Sequence, residues 1–219
     1  MPETSASIAS FWDAFAASFD EEADHGLRDP EVRAAWAERL HSWMPSSPAE
    51  VLDLGCGTGS LSLVLAEQGH LPVGVDLAPL MIEQARRKLT AAGFDAVMLV
   101  GDASNPPAEA GASFDVILSR HLLWTLPAPQ EALRRWIGLL RPGGRLVLIE
   151  GRWATAEPAE DQSYEVGSEA MPWMGGVEAE RLAQALRPLV KTLHVEPLLD
   201  PALWGRPIQD ERYAVVAFT

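Results

Sequence analysis

The stretch that decides the fold is Val51-Leu52-Asp53-Leu54-Gly55-Cys56-Gly57-Thr58-Gly59. Its first four residues form a short, mostly apolar run that is typical of a buried strand, and three alternating glycines follow before a helical pattern begins. Glycine has no Cβ, so a ligand can come close to the backbone, and the N–H groups at the start of a helix attract an anion. The stretch therefore predicts a strand, a ligand-binding loop and a helix in succession.

Short apolar runs alternate with helical segments after this stretch. The apolar runs cover 51–54, 73–75, 96–100, 114–118 and 146–149, and helical periodicity covers 61–68, 80–92 and 130–140. Continuous apolar runs of this length are typical of parallel strands buried on both faces. Pro142-Gly143-Gly144 is expected to end the third helix. The alternation predicts an α/β protein with a doubly wound sheet and helices on both faces.

The amino-terminal flank predicts two helices. Phe11, Trp12, Phe15 and Phe19 fall at helical spacing, so we expect an opening amphipathic helix, followed by an acidic loop over 20–29. Asp29 and Pro30 then provide a cap and a first residue for the second helix, which the prolines at 45 and 48 end.

The carboxyl-terminal flank begins with a segment of different composition. Residues 151–177 are rich in Glu, Ala, Pro, Gly and Ser, which predicts a partly irregular cap, and a helix at 178–187 and strands at 191–196 and 213–218 complete the sheet. We expect a single domain, 1–219. Its parts are a helical cap (1–48), a cofactor-binding core (49–150), a substrate cap (151–177) and a terminal helix with strands (178–219).

Composition narrows the class of ligand. The chain has 31 Asp and Glu against 17 Lys and Arg, and its charge of −14 opposes binding to nucleic acid or to an anionic membrane. A small molecule is the expected partner. The single cysteine, Cys56, allows neither an internal disulfide nor a thiolate metal cluster, so no metal is expected. The first basic residue is Arg28 and no apolar run is long, so we expect a cytoplasmic protein without a signal peptide or membrane span.

The acid that ends the second strand suggests which cofactor binds. Asp76 lies about 20 residues after the glycines, where a carboxylate can accept hydrogen bonds from both hydroxyls of a ribose. An adenosine-containing cofactor fits this pattern. The dinucleotide fingerprint would place its third glycine at Ser60, whereas this chain has glycine at position 59, so the spacing disfavours NAD.

The whole set of motifs resembles the class I S-adenosylmethionine-dependent methyltransferases. The resemblance rests on five segments that follow one another in the family's order over residues 51–150. These are 53–59, Gly74-Val75-Asp76-Leu77, Gly101-Asp102-Ala103, Phe114-Asp115-Val116-Ile117 and 139–146. It implies a Rossmann-like sheet, mostly parallel with an antiparallel last strand, and S-adenosylmethionine as cofactor, with S-adenosylhomocysteine as its product. Residues 1–50 and 151–219 resemble the family only loosely.

The resemblance also implies site residues. The loop glycines would face the methionine part, the acid after the second strand the ribose, the next residue one face of the adenine, and the Asp-Ala turn the adenine edge. These residues are Gly55, Gly57, Gly59, Asp76, Leu77, Asp102 and Ala103, with Ser119 at the end of the fourth strand. Asp53 either orients the loop or accepts the cofactor's amino group through water. Asp76 could instead cap the following helix, and Asp102 could stabilise a turn.

The fourth strand leads into His121, at the sheet edge where substrates of this fold lie. A neutral imidazole with a pKa near 6.5 could take a proton from the acceptor, and the alternative is a histidine that only closes the pocket. His25, in the acidic loop before Arg28, is a weaker candidate for the same role of a base. Cys56 is interpreted as a small loop residue rather than a nucleophile, and Asn105-Pro106-Pro107 as a turn.

The function expected is transfer of a methyl group to a small, hydrophobic or aromatic acceptor by in-line displacement. A lid over the site is expected from Trp12, Phe15, Phe19, Trp153, Met171 and Trp173, with residues 155–170 mobile until a ligand binds. The alternative is that the amino-terminal aromatic residues are permanent core and that 151–177 is an ordinary surface loop. Two other functions stay open: a catalytically silent module that binds S-adenosylmethionine, and an NAD-dependent oxidoreductase. The sequence does not identify the acceptor, the attacking atom or the oligomeric state.

Overall fold

The computed structural model describes residues 2–153 and 171–219. These residues form one seven-stranded sheet, and the strands begin and end close to the apolar runs in the sequence. The strands are β1 (Glu50–Leu54), β2 (Leu71–Asp76), β3 (Val97–Val100), β4 (Phe114–Arg120), β5 (Leu140–Arg152), β6 (Thr192–Pro197) and β7 (Glu211–Phe218).

Seven α-helices accompany the strands in the described residues. They are α1 (Pro2–Phe15), α2 (Ala23–Gly26), α3 (Pro30–Trp43), α4 (Ser60–Glu67), α5 (Pro79–Ala91), α6 (Pro129–Gly138) and α7 (Ala179–Leu186). The start of α3 is as predicted, because the Asp29 side chain accepts hydrogen bonds from the backbone N–H groups of Glu31 and Val32 at 2.8 and 3.3 Å.

The sheet order is β3-β2-β1-β4-β5-β7-β6. The first five strands run parallel, and β7 is antiparallel to both β5 and β6. This confirms the predicted α/β class, with a mostly parallel sheet and an antiparallel last strand. The chain changes direction across the sheet between β1 and β4, so their carboxyl ends border a crevice of the kind in which open α/β sheets bind ligands.

Alternation along the strands divides the core into two faces. In β5, Leu146 and Leu148 pack on one side with Trp136 of α6, and Val147 and Ile149 pack on the other with Trp36 of α3. Buried apolar residues on both faces are what a doubly wound sheet requires. The sheet is therefore covered by helices on both sides, as predicted.

Three local predictions were wrong. The opening helix ends at Phe15, so Phe19 lies in a separate 3₁₀ turn, and the stretch predicted as a loop over 20–29 contains α2. Pro142-Gly143-Gly144 does not follow a helix directly, because α6 already ends at Gly138 and the three residues lie within β5. The register there shifts between Phe114 and Val116, since a proline and two glycines interrupt regular pairing.

Among the described residues, no helix combines the length and apolar character required to span a bilayer.

Candidate active site

The loop after β1 has the backbone conformation that glycine makes accessible. Gly55, Gly57 and Gly59 all have left-handed φ values, of 69°, 53° and 75°. A Cβ on Gly55 would lie 3.0 Å from Leu122, and one on Gly59 would lie 2.9 Å from the Ala85 Cβ in α5. Gly59 is thus needed for packing of the loop on α5, whereas the space beside Gly57 is open apart from one aromatic ring.

Asp76 lies where β2 ends beside this loop. One carboxylate oxygen accepts a hydrogen bond from the Gly57 N–H and the other from the Ala78 N–H, each at 2.9 Å. Each oxygen keeps a further lone pair for a ligand. Burial raises the pKa of Asp76, and the two backbone hydrogen bonds act against that rise. The same carboxylate therefore shapes the glycine loop and lies at the position predicted for a ribose.

Asp53 points into the protein under the same loop. Its carboxylate accepts a hydrogen bond of 2.5 Å from the Ser62 hydroxyl, which ties β1 to α4. Burial raises its pKa to about 6, and the Ser62 hydrogen bond lowers it. Of the two roles that the sequence left open, this contact supports orientation of the loop.

The remaining cofactor-site predictions fall along the same edge of the sheet. Leu77 is half-buried, Asp102 is exposed, and Ala103 is buried. Asp102 accepts a hydrogen bond from the Ser104 N–H at 2.8 Å, so it also stabilises the turn. Ser119 pairs with Leu54 of β1, and its buried hydroxyl has no hydrogen-bond partner among the described residues. A buried hydroxyl without a partner beside a glycine loop suits a polar ligand.

The amino-terminal aromatic residues lie over the cofactor loop. The Phe19 ring is 3.5 Å from the position of a Cβ on Gly57, stacks on His25 at 4.3 Å, and meets Trp12 edge to face at 6.2 Å. Phe15 is 38% exposed and is not part of this cover. Trp12 and Phe19 pack against a buried cluster that contains Ala16 and Met81, so they form part of the core in this structure.

His121 lies beside this region but in an unusual environment. It has a left-handed φ of 54°, stacks on Trp204 at 5.8 Å, and is 5.1 Å from the Trp153 ring centre. Its Nε2 is 3.5 Å from an Arg212 nitrogen, and arginine can only donate. Burial, together with the charges of Arg120 and Arg212, lowers the pKa of His121 well below its ordinary value. The expectation of a pKa near 6.5 was therefore wrong.

Two tryptophan side chains from distant parts of the chain, Trp153 and Trp204, contact the His121 ring, and further tryptophans extend this cluster. Trp12 contacts Trp124 at 6.4 Å, and Trp124 contacts Trp153 at 6.0 Å. The Arg212 guanidinium lies over both Trp153 and Trp204 and pairs with Asp210 through two hydrogen bonds of 2.8 Å. The sequence analysis did not identify Trp204 or Arg212, because nothing near them in the sequence marks a site.

A cavity of about 390 Å³ opens on this cluster. Trp153, Trp204 and Arg212 line it, and Asp24, Arg206 and Asp210 contribute charged groups. His25 is near this region, since its Nε2 is 3.9 Å from the Asp24 carboxylate. Burial is the main cause that lowers the pKa of His25. Trp153 directly follows β5, so the cavity adjoins the carboxyl end of that strand, on the edge of the sheet where an acceptor would be expected.

The residues predicted for the substrate cap lie in different parts of the structure. Trp153 reaches the aromatic cluster. Met171 and Trp173 are buried, and Trp173 is 2% exposed within the core that includes Leu182 of α7, so the structure does not bring it to the cavity. Residues 155–170, expected to be mobile, lie outside the described residues.

Glu150 is a buried acid that the sequence analysis did not identify. One of its carboxylate oxygens accepts hydrogen bonds from the Leu122 and Leu123 N–H groups at 3.1 and 3.0 Å, directly after His121. The other oxygen has no partner among the described residues. Burial raises the pKa of Glu150 to about 8. Its position at the end of an apolar run, like that of Asp76, was the signal that could have identified it.

Comparisons with known proteins agree with this geometry. Residues 52–148 match the family described as a methyltransferase domain. The chain is 39% identical over 124 residues to the ubiquinone biosynthesis O-methyltransferase of Xylella fastidiosa, and the aligned region covers 56% of this chain and 50% of the relative. It is 32% identical over 151 residues to a ubiquinone/menaquinone biosynthesis C-methyltransferase of Roseobacter denitrificans, and that aligned region covers 66% of this chain and 59% of the relative.

A solved structure extends the similarity to nearly the whole chain. The N-methyltransferase NodS of Bradyrhizobium japonicum, in complex with S-adenosylhomocysteine, matches with a TM-score of 0.67 at 19% identity, covering 95% of this chain and 98% of that one. At this identity the match shows a shared fold. The chain spans about half the length of the first curated relatives it matches. Residues 52–148 therefore match a methyltransferase-domain family, and the described residues share the fold of an N-methyltransferase.

Proposed function

We propose that this chain is an S-adenosylmethionine-dependent methyltransferase that acts on a small, hydrophobic or aromatic acceptor. The observation that carries the proposal is the loop of left-handed glycines, with the Asp76 carboxylate beside it and the unpartnered Ser119 hydroxyl at the next strand end. The relatives support it, since their names assign O- and C-methylation in quinone biosynthesis to them.

The residues of the cofactor edge fit each part of such a ligand. The glycine loop admits the methionine part, because no Cβ blocks its backbone. Asp76 would accept hydrogen bonds from the ribose hydroxyls, and the exposed carboxylate of Asp102 would face the adenine edge. Leu77 is half-buried and would cover one face of the adenine.

The acceptor would lie against the tryptophans. Trp153 and Trp204 line the cavity, and the Arg212 guanidinium, which pairs with Asp210, lies over both indole rings. Guanidinium groups and indole rings both interact favourably with the faces of aromatic rings. A small aromatic acceptor that carries polar groups is therefore the best match to this wall.

Catalysis in this proposal rests on alignment. S-adenosylmethionine supplies an electrophilic sulfonium methyl when bound. The chain's contribution is to hold both partners in line and to exclude water, and alignment of this kind can account for much of a rate enhancement. His121 is assigned a place in the pocket wall rather than the role of a base, because Arg212 donates toward its Nε2 and its pKa is strongly lowered.

The proposal includes a cytoplasmic location and a small-molecule partner rather than nucleic acid. The charge of −14 supports the second part, because binding to phosphates is driven by Lys and Arg. A single, buried cysteine is in keeping with a reducing compartment.

Calorimetric titration with S-adenosylhomocysteine and, separately, with NAD tests the cofactor. We expect binding of the first and none of the second, and the opposite result would contradict the proposal. Methyl-labelled S-adenosylmethionine is then offered with a panel of hydroquinones, catechols, aromatic acids and amines, and label transfer is measured. Cofactor binding without transfer to any member would instead support a silent binding module.

A further inference from the structure

A buried polar cluster joins the amino-terminal segment to the cofactor loop. Lys88 of α5 donates to the Asp20 carboxylate at 2.8 Å, to the Thr58 hydroxyl at 3.0 Å and to the Ser60 hydroxyl at 2.7 Å. The Thr58 hydroxyl donates to the other oxygen of Asp20 at 2.5 Å. Thr58 and Ser60 flank Gly59, so the cluster holds the loop where it enters α4.

Lys88 has no donor left for a ligand. An ammonium group has three N–H bonds, and the three contacts use all of them. Its role at the site must therefore be indirect, through the shape of the loop. Burial lowers the pKa of Lys88, and Asp20 acts against that change.

Burial makes this ion pair different from those on the surface. The side chains of Lys88 and Asp20 are 19% and 7% exposed, whereas those of Arg87 and Glu83, which pair one residue away on α5, are 72% and 51% exposed. Exposed pairs contribute little, but removing one partner of a buried pair leaves a charge that is costly to keep out of water. The Asp20–Lys88 pair can thus fix the position of the loop residues that it contacts, Thr58 and Ser60.

Asp20 holds in place the neighbouring aromatic ring that lies over the glycine loop. The next residue back in the chain is Phe19, whose ring lies beside Gly57. On the other side, Gly26 packs so tightly on the backbone of Asp20 that a Cβ would not fit. The turn from Phe19 to Gly26 is therefore a compact unit, and the ion pair attaches it to the loop.

We propose that Asp20 and Lys88 are positioning residues for the cofactor, and that the amino-terminal segment, which lies outside the matched residues 52–148, is part of the cofactor site. This inference rests on the proposed function, because it takes the loop to be the S-adenosylmethionine site. The pair sets the shape of residues 57–60 and keeps Phe19 over them before any ligand arrives, so binding does not have to order these groups.

The test compares buried-pair and exposed-pair variants of the full chain. Lys88→Met and Asp20→Asn remove one charge each, and their matched controls are Arg87→Met and Glu83→Gln on the neighbouring pair. Affinity for S-adenosylhomocysteine is measured by calorimetry and Tm by scanning. We expect 10- to 100-fold weaker binding for the first two variants, wild-type binding for the controls, and no further loss when Lys88→Met and Asp20→Asn are combined.

Each outcome decides the inference. A lower Tm with unchanged affinity would mean that the pair is only structural and would overturn it. If the charge variants do not fold, Thr58→Val combined with Ser60→Ala keeps the ion pair but removes both hydroxyl links to the loop, and unchanged affinity in that double variant would overturn the inference as well. Failure of the wild-type chain to bind S-adenosylhomocysteine would overturn the proposed function together with it, so the two failures are distinguishable.

Discussion

The two edges proposed to hold the cofactor and the acceptor, called here the cofactor edge and the acceptor edge, are built in different ways. The cofactor edge takes Asp53, the loop glycines, Asp76 and Asp102 from strand ends that follow one another in the chain. The acceptor edge takes its tryptophans from positions 124, 153 and 204 and its guanidinium from Arg212. One edge depends on local backbone conformation, and the other depends on side chains brought together by the fold.

This difference predicts different responses to substitution. A backbone that must adopt left-handed φ values tolerates few changes, whereas a wall of packed rings can lose one contact and keep its shape. Substitutions at the cofactor edge should therefore have larger effects on binding than those at the acceptor edge have on turnover.

The largest effect is expected for Gly57→Val. Its φ of 53° is strained for a β-branched residue, and the side chain would fill the space beside the loop. We expect binding of S-adenosylhomocysteine to fall below detection by calorimetry. Gly93→Ala is the control, because Gly93 also has a left-handed φ but has nothing within 4 Å of an added Cβ. Binding within tenfold of wild type in Gly57→Val would remove the loop from the cofactor site.

Asp76→Ala should come next. Loss of two charge-assisted hydrogen bonds to a ribose should weaken cofactor binding by about 2–4 kcal/mol, measured by calorimetry, while the circular dichroism spectrum stays that of the wild type. Asp95→Ala, which removes an exposed carboxylate just before β3, should leave affinity unchanged. Equal affinity in the Asp76 variant would mean that this carboxylate serves only the loop and helix N–H groups.

Glu150→Gln tests the protonation of the buried acid beside His121 through the pH dependence of folding stability. The folded chain keeps Glu150 protonated up to a pKa of about 8, but the unfolded chain releases the proton near its ordinary value of 4.5. Stability from this group is therefore complete below pH 4.5 and is lost as the pH rises toward 8. Between pH 5 and 8, the free energy of unfolding should fall about 3 kcal/mol more in wild type than in Glu150→Gln, measured by urea titration. Parallel pH curves would show that Glu150 is ionised in the fold.

His121 should show the smallest effect. Burial, with the charges of Arg120 and Arg212, lowers the pKa of His121 well below its ordinary value, so we expect no titration of this imidazole in the rate profile between pH 6 and 8. His121→Phe, which keeps a ring against Trp204, should retain most turnover with any acceptor found in the screen. His121→Ala should lose about tenfold through lost packing, or about 1.4 kcal/mol. A wild-type rate that rises between pH 6 and 7, and does not rise in His121→Phe, would restore the role of a base.

The sequence predicts the backbone of the proposed cofactor loop well, because each requirement there is local. Gly55, Gly57 and Gly59 all have left-handed φ values, and the acid at the end of β2 accepts a hydrogen bond from the loop. That Asp76 also binds a ribose stays a prediction. The fold is predicted equally well, since the apolar runs mark β1 to β5 within a few residues, with β5 extending furthest beyond its run. The main local error was Pro142-Gly143-Gly144, where signals for ending a helix also fit an irregular start of a strand.

The acceptor half could not be predicted in the same way. Trp204 and Arg212 meet His121 only because β7 returns antiparallel beside β5, and no spacing in the sequence records that contact. Trp173 shows the opposite error. Its composition suggested a lid, but packing against α7 makes it core. The pKa of His121 likewise depends on the positions of Arg120 and Arg212, which only the folded chain brings near it.

The thiol of Cys56 can be used to measure how often the glycine loop opens. The only thiol of the chain is buried between glycines of the loop, and burial raises its pKa well above the ordinary value. A thiol reagent can react with it only when the loop opens, because the thiolate is the reactive form and the closed loop excludes both reagent and charge. The rate of labelling by a chromogenic disulfide therefore measures how often this region opens in the unmodified protein. Any cysteine introduced on the surface would be modified first, so a fluorophore can be attached at a chosen position without replacing the native residue.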